Sequence, residues 1–176
     1  QTQGILQGLV RAPAFTAELG KITKLQGTAH GKLTLGDSLH AIRAKVEVSE
    51  VALSADYQRV PLPITIAGGR LTFDKQMLGL DNLSGSLGQS QFADLSCRFL
   101  WEKDLSLNID SGRFDLAMAE FYPWLASLEG LRGKLQKVKQ VTGRLVVSVI
   151  DFQGEVARPS DWQYAATGTV KDLLVD

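Results

Sequence analysis

Apolar and polar residues alternate along most of this chain. Ile42, Ala44, Val46 and Val48 take one parity while Arg43, Lys45 and Glu47 take the other. Ala93, Leu95, Cys97, Phe99 and Trp101 repeat the pattern against Asp94, Ser96 and Arg98, and Leu105, Leu107, Ile109 and then Leu145, Val147, Val149 do so again. A period of two sends successive side chains to opposite faces of a strand, so these runs predict antiparallel strands with one dry and one wet face. Neither Gly nor Pro occurs between Gly36 and Pro61, or between Gly88 and Gly112. A strand of about 15 residues would span roughly 50 Å, so each stretch holds either one long strand or a hairpin. Asp56-Tyr57 and Glu102-Lys103-Asp104 are the places for turns, and the favoured reading is a meander of moderately long strands.

One segment departs from alternation. From Asp115 to about Lys139, apolar residues at Phe121, Leu125, Leu128, Leu131, Leu135 and Val138 fall at steps of three or four, the spacing of a helix face. Ser111 or Asp115 is the candidate cap. Pro123 fits only near a helix start or at a kink, and Gly130 and Gly133 weaken the middle. The spacing predicts a short helix with a second helical turn or loop after it, packed on the sheet. The chain then reads as one unit: antiparallel strands over 1–114, a helical segment over 115–139 and further strands over 140–176.

Five times a glycine is followed by a cation and then Leu or Phe: at Gly31, Gly69, Gly112, Gly133 and Gly143. Glycine suits the exit of a turn or a bulge because it accepts positive φ, the cation would face water, and the apolar residue would open the dry face. The copies at Gly31, Gly69, Gly112 and Gly143 are expected to start strands. Gly133 falls near the helix, where the match is coincidental.

Composition narrows the function without choosing one. Nineteen Lys and Arg cancel nineteen Asp and Glu, so no field of one sign points to nucleic acid or to an anionic membrane. The single Cys97 cannot form an internal disulfide, and its place on an apolar parity suits a buried thiol better than a nucleophile. His30 and His40 have no Cys or carboxylate at ligand spacing, so no metal site is expected. Asp94, Glu102, Asp104, Asp110 and Asp115 sit at wet-face or turn positions, and the Ala-Gly-Gly at 67–69 lacks the pattern of a phosphate loop. Aromatics are 7% of the chain, without the basic interleaving that stacks nucleic acid. Phe121-Tyr122-Pro123-Trp124 reads as a packing anchor. No stretch is long and apolar enough for a transmembrane helix or a signal-peptide core, and a start at Gln1 reads as a processed product or an excised segment.

What remains is a packing problem. A dry face needs a covering layer, and a helix of about 15 residues is roughly 22 Å long, too short for several long strands. Either the sheet closes on itself as a sandwich or barrel, or part of its dry face stays open for an apolar ligand or a neighbouring module.

The order of elements resembles one family. "LQGTAHGKLTLGDSL" (25–39) precedes "RVPLPITIAGGRLTFD" (59–74), followed by "LGLDNLSGSLGQSQFADLSCRF" (78–99), "LSLNIDSGRFDLAMAEFYPWL" (105–125) and "FQGEVARPSDWQYAATGTVKDLLVD" (152–176). This succession of Gly-rich strand units, then a strand leading into a helix, is similar to the AsmA-like proteins of the bacterial envelope, over roughly residues 20–176. The resemblance implies a mostly-β fold with one short helical segment, in which an extended, strongly curved antiparallel sheet forms an open groove or taco-like half-barrel. It also implies a slice of a bridge-like lipid-transfer protein in the periplasm of a Gram-negative bacterium, the parent chain being anchored in the inner membrane. Phospholipid or another acyl lipid would be the ligand and adjoining modules of the parent chain the partners. No nucleic acid, cofactor, metal or catalysis is implied. Candidate groove-lining residues are Ile42, Val46, Val48, Leu95, Phe99, Leu105, Leu107 and Ile109. A structural or interaction module in outer-membrane assembly is the alternative, and an enzyme acting on glycans or lipids a third reading.

Overall fold

A computed structural model of the chain describes residues 13–35, 44–74, 76–101, 104–135 and 137–176. The alternating segments become the strands β1 (Ile22–Leu35), β2 (Ala44–Tyr57), β3 (Val60–Asp74), β4 (Met77–Leu87), β5 (Ser90–Leu100), β6 (Ser106–Ala117), β7 (Val141–Glu155) and β8 (Gln163–Val175). Among the described residues they form one eight-stranded sheet in sequence order, every neighbour antiparallel. The expected meander is therefore present. Its β2–β3 turn falls at Gln58-Arg59, just after the expected Asp56-Tyr57. Glu102 and Lys103 of the other expected turn lie outside the described residues, as does Ile42.

Among the described residues three short α-helices accompany the sheet, α1 (Pro13–Leu19), α2 (Met118–Ser127) and α3 (Glu129–Leu135), with a single 3-10 turn at Pro159–Asp161. The helical segment thus starts three residues later than its spacing suggested. Asp115, Leu116 and Ala117 instead complete β6 against Val146, Leu145 and Arg144, because ladder hydrogen bonds satisfy backbone groups that a helix start would leave open. Ala117 takes the cap position with no side-chain bond, so neither Ser111 nor Asp115 caps α2. Extended backbone at Leu128 (ψ 129°) ends the helix. The sequence reading had no counterpart for α1, whose first residue is Pro13, a position where the missing N–H costs nothing. No helix among the described residues is long and apolar enough to cross a membrane.

The glycine triplets sit elsewhere than expected. Gly31, Gly69 and Gly112 lie inside β1, β3 and β6, and Gly143 is the third residue of β7, so none starts a strand. The expected facing of the cations holds: Lys32, Arg70, Arg113 and Arg144 pair across the ladder with Glu47, Asp81, Ala93 or Ser148, and Ala117 or Lys171 on the wet face. Gly133 falls in α3.

The reason for the mid-strand glycine is a row of kinks across the sheet. Glu50 (φ 52°), Gly69 (φ 111°), Asn82 (φ 52°) and Asp94 (φ 53°) all have left-handed backbone. The register of β2 on β3 sets Glu50 opposite Gly69, that of β3 on β4 sets Gly69 opposite Asn82, and Asp94 lies on β5 two residues from Ser96, which faces Asn82. Each is one extra residue, and an extra residue reverses the parity that follows it. The sequence compensates: apolar residues run Val46, Val48 and then Val51, Leu53 on β2; Ile64, Ile66 and then Leu71, Phe73 on β3; Leu78, Leu80 and then Leu83, Leu87 on β4. The register keeps them all on one face, with Val48 opposite Leu71 and Leu53 opposite Ile66. Ala93, which plain alternation groups with Leu95, lies before the kink and pairs with Arg113 on the wet face. Asn82 N–H donates to Ser96 Oγ (3.1 Å), and Ser111 Oγ donates to the Asp94 carbonyl (3.3 Å), satisfying backbone groups that the kinks release from the ladder.

The kinks bend the strands over their dry face. Ile22 pairs with Tyr57 at one end of β2, and Val46 pairs with Phe73 near the other. Eleven residues separate Val46 from Tyr57, roughly 36 Å along a straight strand at about 3.3 Å per residue. Yet Leu19, three residues ahead of Ile22, packs against the cluster of Phe73 and Trp101 that also holds Val46. The two ends of the strands meet only if the sheet curls across its strands. The deepest apolar side chains lie at the bend: Leu83 is 2% exposed and Val51 1%.

Candidate functional site: the dry face of the curled sheet

The candidate site is a trough whose floor is the kink row and whose walls are the two halves of each strand. Seven of the eight residues expected to line a groove are described, and the register brings them to this one face. Val48 pairs with Gly31 and Leu71, Leu95 with Leu83, Phe99 with Leu78 and Leu107, and Ile109 with Cys97 and Phe152. Val46, Phe99 and Leu105 pack directly on Phe73 and Trp101, whose rings stack with centroids 5.7 Å apart. Apart from Leu95, nearest the floor, these residues form one wall.

The opposite wall escaped the sequence reading. Leu53, Ile64, Ile66, Phe92, Phe114 and Leu116 carry it, and the register places them on the same face as the first set. A signal was present: the apolar parity changes from even to odd at Ser49-Glu50, Gly68-Gly69, Asp81-Asn82 and Ala93-Asp94. Most lining side chains are half-buried rather than buried, so the face is crowded by its own curl but not sealed.

Cover is uneven. Over β6–β8, α2 and α3 close part of the trough, where Leu116, Met118, Tyr122 and Val141 form a buried cluster joined by Leu135, Val138, Leu145 and Leu173. The Tyr122 hydroxyl ties α2 to the end of α3 and the loop after it, donating within 2.8 Å of the Leu135 carbonyl and 2.9 Å of the Val138 carbonyl. Over β1–β5 the described cover is α1 together with the part of α2 that reaches the β2–β3 and β4–β5 turns, where Glu120 accepts from Gln89 N–H (2.8 Å).

One rim of the trough is clamped at the β2–β3 turn. The Glu18 carboxylate of α1 accepts from Arg59 Nε (2.9 Å) and Nη2 (2.6 Å), from the Tyr57 hydroxyl (2.7 Å) and from Lys21 Nζ. On the other side of the same turn, Trp124 Nε1 of α2 donates to the Arg59 carbonyl (2.9 Å). Arg59 therefore joins both helices. The hydrogen bond from its guanidinium, outweighing partial burial, holds the Glu18 carboxyl down from 4.5 to about 2. Burial, reinforced by Glu18, pushes the Tyr57 hydroxyl well above its ordinary value.

Reactive chemistry is thin on this face. Cys97, 4% exposed, is pushed up to about 12 by burial, with Asp110 and Asp81 adding to it, so its thiol stays protonated at neutral pH. Among the described residues, no three His, Cys, Asp or Glu side chains come together in a way that could hold a metal ion. The wet face carries the ion pairs Lys24–Asp56 (2.8 Å), Arg98–Asp110 (2.5 Å) and Arg144–Asp115 (2.7 Å). It also bears an open recess of ≈ 590 Å³ between Thr65, Ser86, Gln91, Arg113 and Asp115. Its carboxylate Asp115 is occupied by Arg144.

Comparison of the chain with protein-family models, with curated proteins and with solved structures finds no match in any of the three.

Proposed function

We propose that this chain is a non-enzymatic, lipid-binding segment of an AsmA-like protein of the Gram-negative periplasm, its parent anchored in the inner membrane. Its trough would carry phospholipid acyl chains passively between the inner and outer membranes. The observation that supports this reading is a half-buried apolar face that runs across β2–β7 and is incompletely roofed. Five strand spacings of about 4.8 Å make this face roughly 24 Å long. One leaflet of hydrocarbon is about 15 Å thick, half of the roughly 30 Å core, so an acyl chain fits lengthwise along it. Each CH₂ laid on the face is worth about 0.8 kcal/mol, and sliding along a uniform face exchanges one such contact for the next. Headgroups would project past the rim into water.

Native mass spectrometry of the purified chain should find co-purifying phospholipid. Cys97 lies on the trough wall and is the only cysteine, which makes it a built-in reporter: added phospholipid should slow its alkylation further. Val46→Asp and Phe99→Asp should remove lipid while leaving the circular dichroism spectrum of the folded chain. A chain that folds, binds no phospholipid and alkylates at the same rate with and without it would sink the reading. The alternative, an interaction module in outer-membrane assembly, draws on the same open face and predicts a protein rather than a lipid upon it.

A further inference from the structure

The donors and the acceptor of the rim clamp belong to different bodies. Lys21, Tyr57 and Arg59 sit at the rim of the sheet. The Lys21 carbonyl accepts from Gln58 N–H (3.1 Å), the Arg59 carbonyl accepts from Trp124 Nε1 (2.9 Å), and Tyr57 pairs with Ile22 and Val60. Glu18 reaches them from α1, and its carboxylate takes both nitrogens of the Arg59 fork, the Tyr57 hydroxyl and Lys21 Nζ. A guanidinium fork beside an ammonium group and a phenol is also a cradle for phosphate, whose oxygens accept the same parallel pair of N–H bonds. With Glu18 withdrawn, Lys21 and Arg59 leave two positive charges there. The nearest carboxylate in sequence, Asp56, is paired with Lys24 (2.8 Å).

The same helix crosses the mouth of the trough. Glu18 is tied to the β2–β3 turn, whereas Leu19, the next residue, packs on Phe73 and Trp101 at the other ends of the strands. α1 has only seven residues, and a helix that short does not hold together in water without its tertiary contacts. We propose that Lys21, Tyr57 and Arg59 form a phosphate site that Glu18 fills while α1 straps the mouth shut, and that a phosphate-bearing ligand opens the mouth by taking the place of Glu18. A phospholipid is the ligand that uses both halves of the device, a step that rests on the lipid reading above. Its phosphate would sit at the rim while its acyl chains enter where Leu19 leaves Phe73 and Trp101. Free phosphate shares the recognition chemistry and brings nothing to replace Leu19.

Two experiments separate these sources. Inorganic phosphate, titrated calorimetrically at constant ionic strength, should bind Glu18→Gln at least about tenfold more tightly than the wild type, where it must first displace Glu18. Adding Arg59→Gln should abolish that binding with the circular dichroism spectrum unchanged; if this double variant unfolds, Lys21→Gln on Glu18→Gln carries the same test. In the wild type, dihexanoylphosphatidylcholine below its micelle concentration should speed hydrogen exchange in α1 at least about threefold. Dihexanoylglycerol, which has the same chains and no phosphate, should leave it unchanged. Equal phosphate affinity in the wild type and Glu18→Gln, or binding that survives the loss of Arg59, would overturn the site. A phospholipid that slows Cys97 alkylation without loosening α1 would overturn the displacement and leave the lipid reading standing. Phosphate binding to Glu18→Gln, with no effect of phospholipid on α1 or Cys97, would keep the site for free phosphate and sink the lipid reading.

Discussion

Replacing Gly69 by alanine tests the bend where it is tightest. At φ 111° the backbone is strained for any L side chain, at a cost of about 1–3 kcal/mol. A Cβ there would also run into Leu83 Cδ2 and sit 2.9 Å from Leu83 Cα and 3.0 Å from the Asn82 carbonyl oxygen. Leu83 is 2% exposed and cannot swing away, so overpacking adds about 1–3 kcal/mol. The expected loss is about 3 kcal/mol in urea unfolding followed by circular dichroism. For a chain of this length that lowers Tm by about 6–12 °C. The control comes from the same sequence motif. Gly133 sits in α3 with nothing within 4 Å of its would-be Cβ, so Gly133→Ala should stabilise by about 0.5–1 kcal/mol. If Gly69→Ala unfolds within about 0.5 kcal/mol of the wild type, the kink row does not set the curl and the geometric argument fails.

Other substitutions probe the floor, the rim and the roof. Leu83→Ala should cost about 2–5 kcal/mol through the cavity it leaves at the bend, read by the same urea titration. Glu18→Gln should cost about 1 kcal/mol, the upper end for an ion pair near the surface, and raise hydrogen exchange in α1. Because the folded-state Glu18 carboxyl is lowered from 4.5 to about 2, its contribution is complete above about pH 4.5 and fades as the pH falls towards 2. Thermal melts across that window should be steeper in pH for the wild type than for Glu18→Gln. Tyr122→Phe removes the bond to the Leu135 and Val138 carbonyls and should cost about 1 kcal/mol, with exchange rising first in α3. Native Cys97 should react with iodoacetamide at least a hundredfold more slowly than in urea, since both burial and a pKa near 12 suppress it; equal rates would place the thiol in water.

Strand pairing and the single dry face were legible in the alternation, because the side-chain period of a strand is two whatever the tertiary context. One wall of the trough was legible for the same reason: Val46, Val48, Phe99, Leu105, Leu107 and Ile109 lie within uninterrupted runs. The other wall was not. Its residues, such as Leu53, Ile66 and Phe114, carry the opposite parity, and a parity change reads as a turn until the register shows it to be a kink within a strand. Gly69 was misplaced for that reason, being taken as a turn exit when it sits ten residues into β3. Glu50 gave no warning, since glutamate does not favour left-handed backbone as glycine or asparagine does. α1 went unseen because seven residues hold too few periods to declare a helix, and its docking depends on Glu18 meeting Arg59, forty-one positions later.

In this sheet each strand pairs only with the one before it and the one after. Length and bore are therefore independent quantities. Inserting one hairpin would extend the trough by about 9.6 Å and leave its cross-section untouched. The bore depends instead on how many residues separate the kink from each strand end. A gutter of this kind can be lengthened to span any gap, and widened or narrowed only by changing every strand in step.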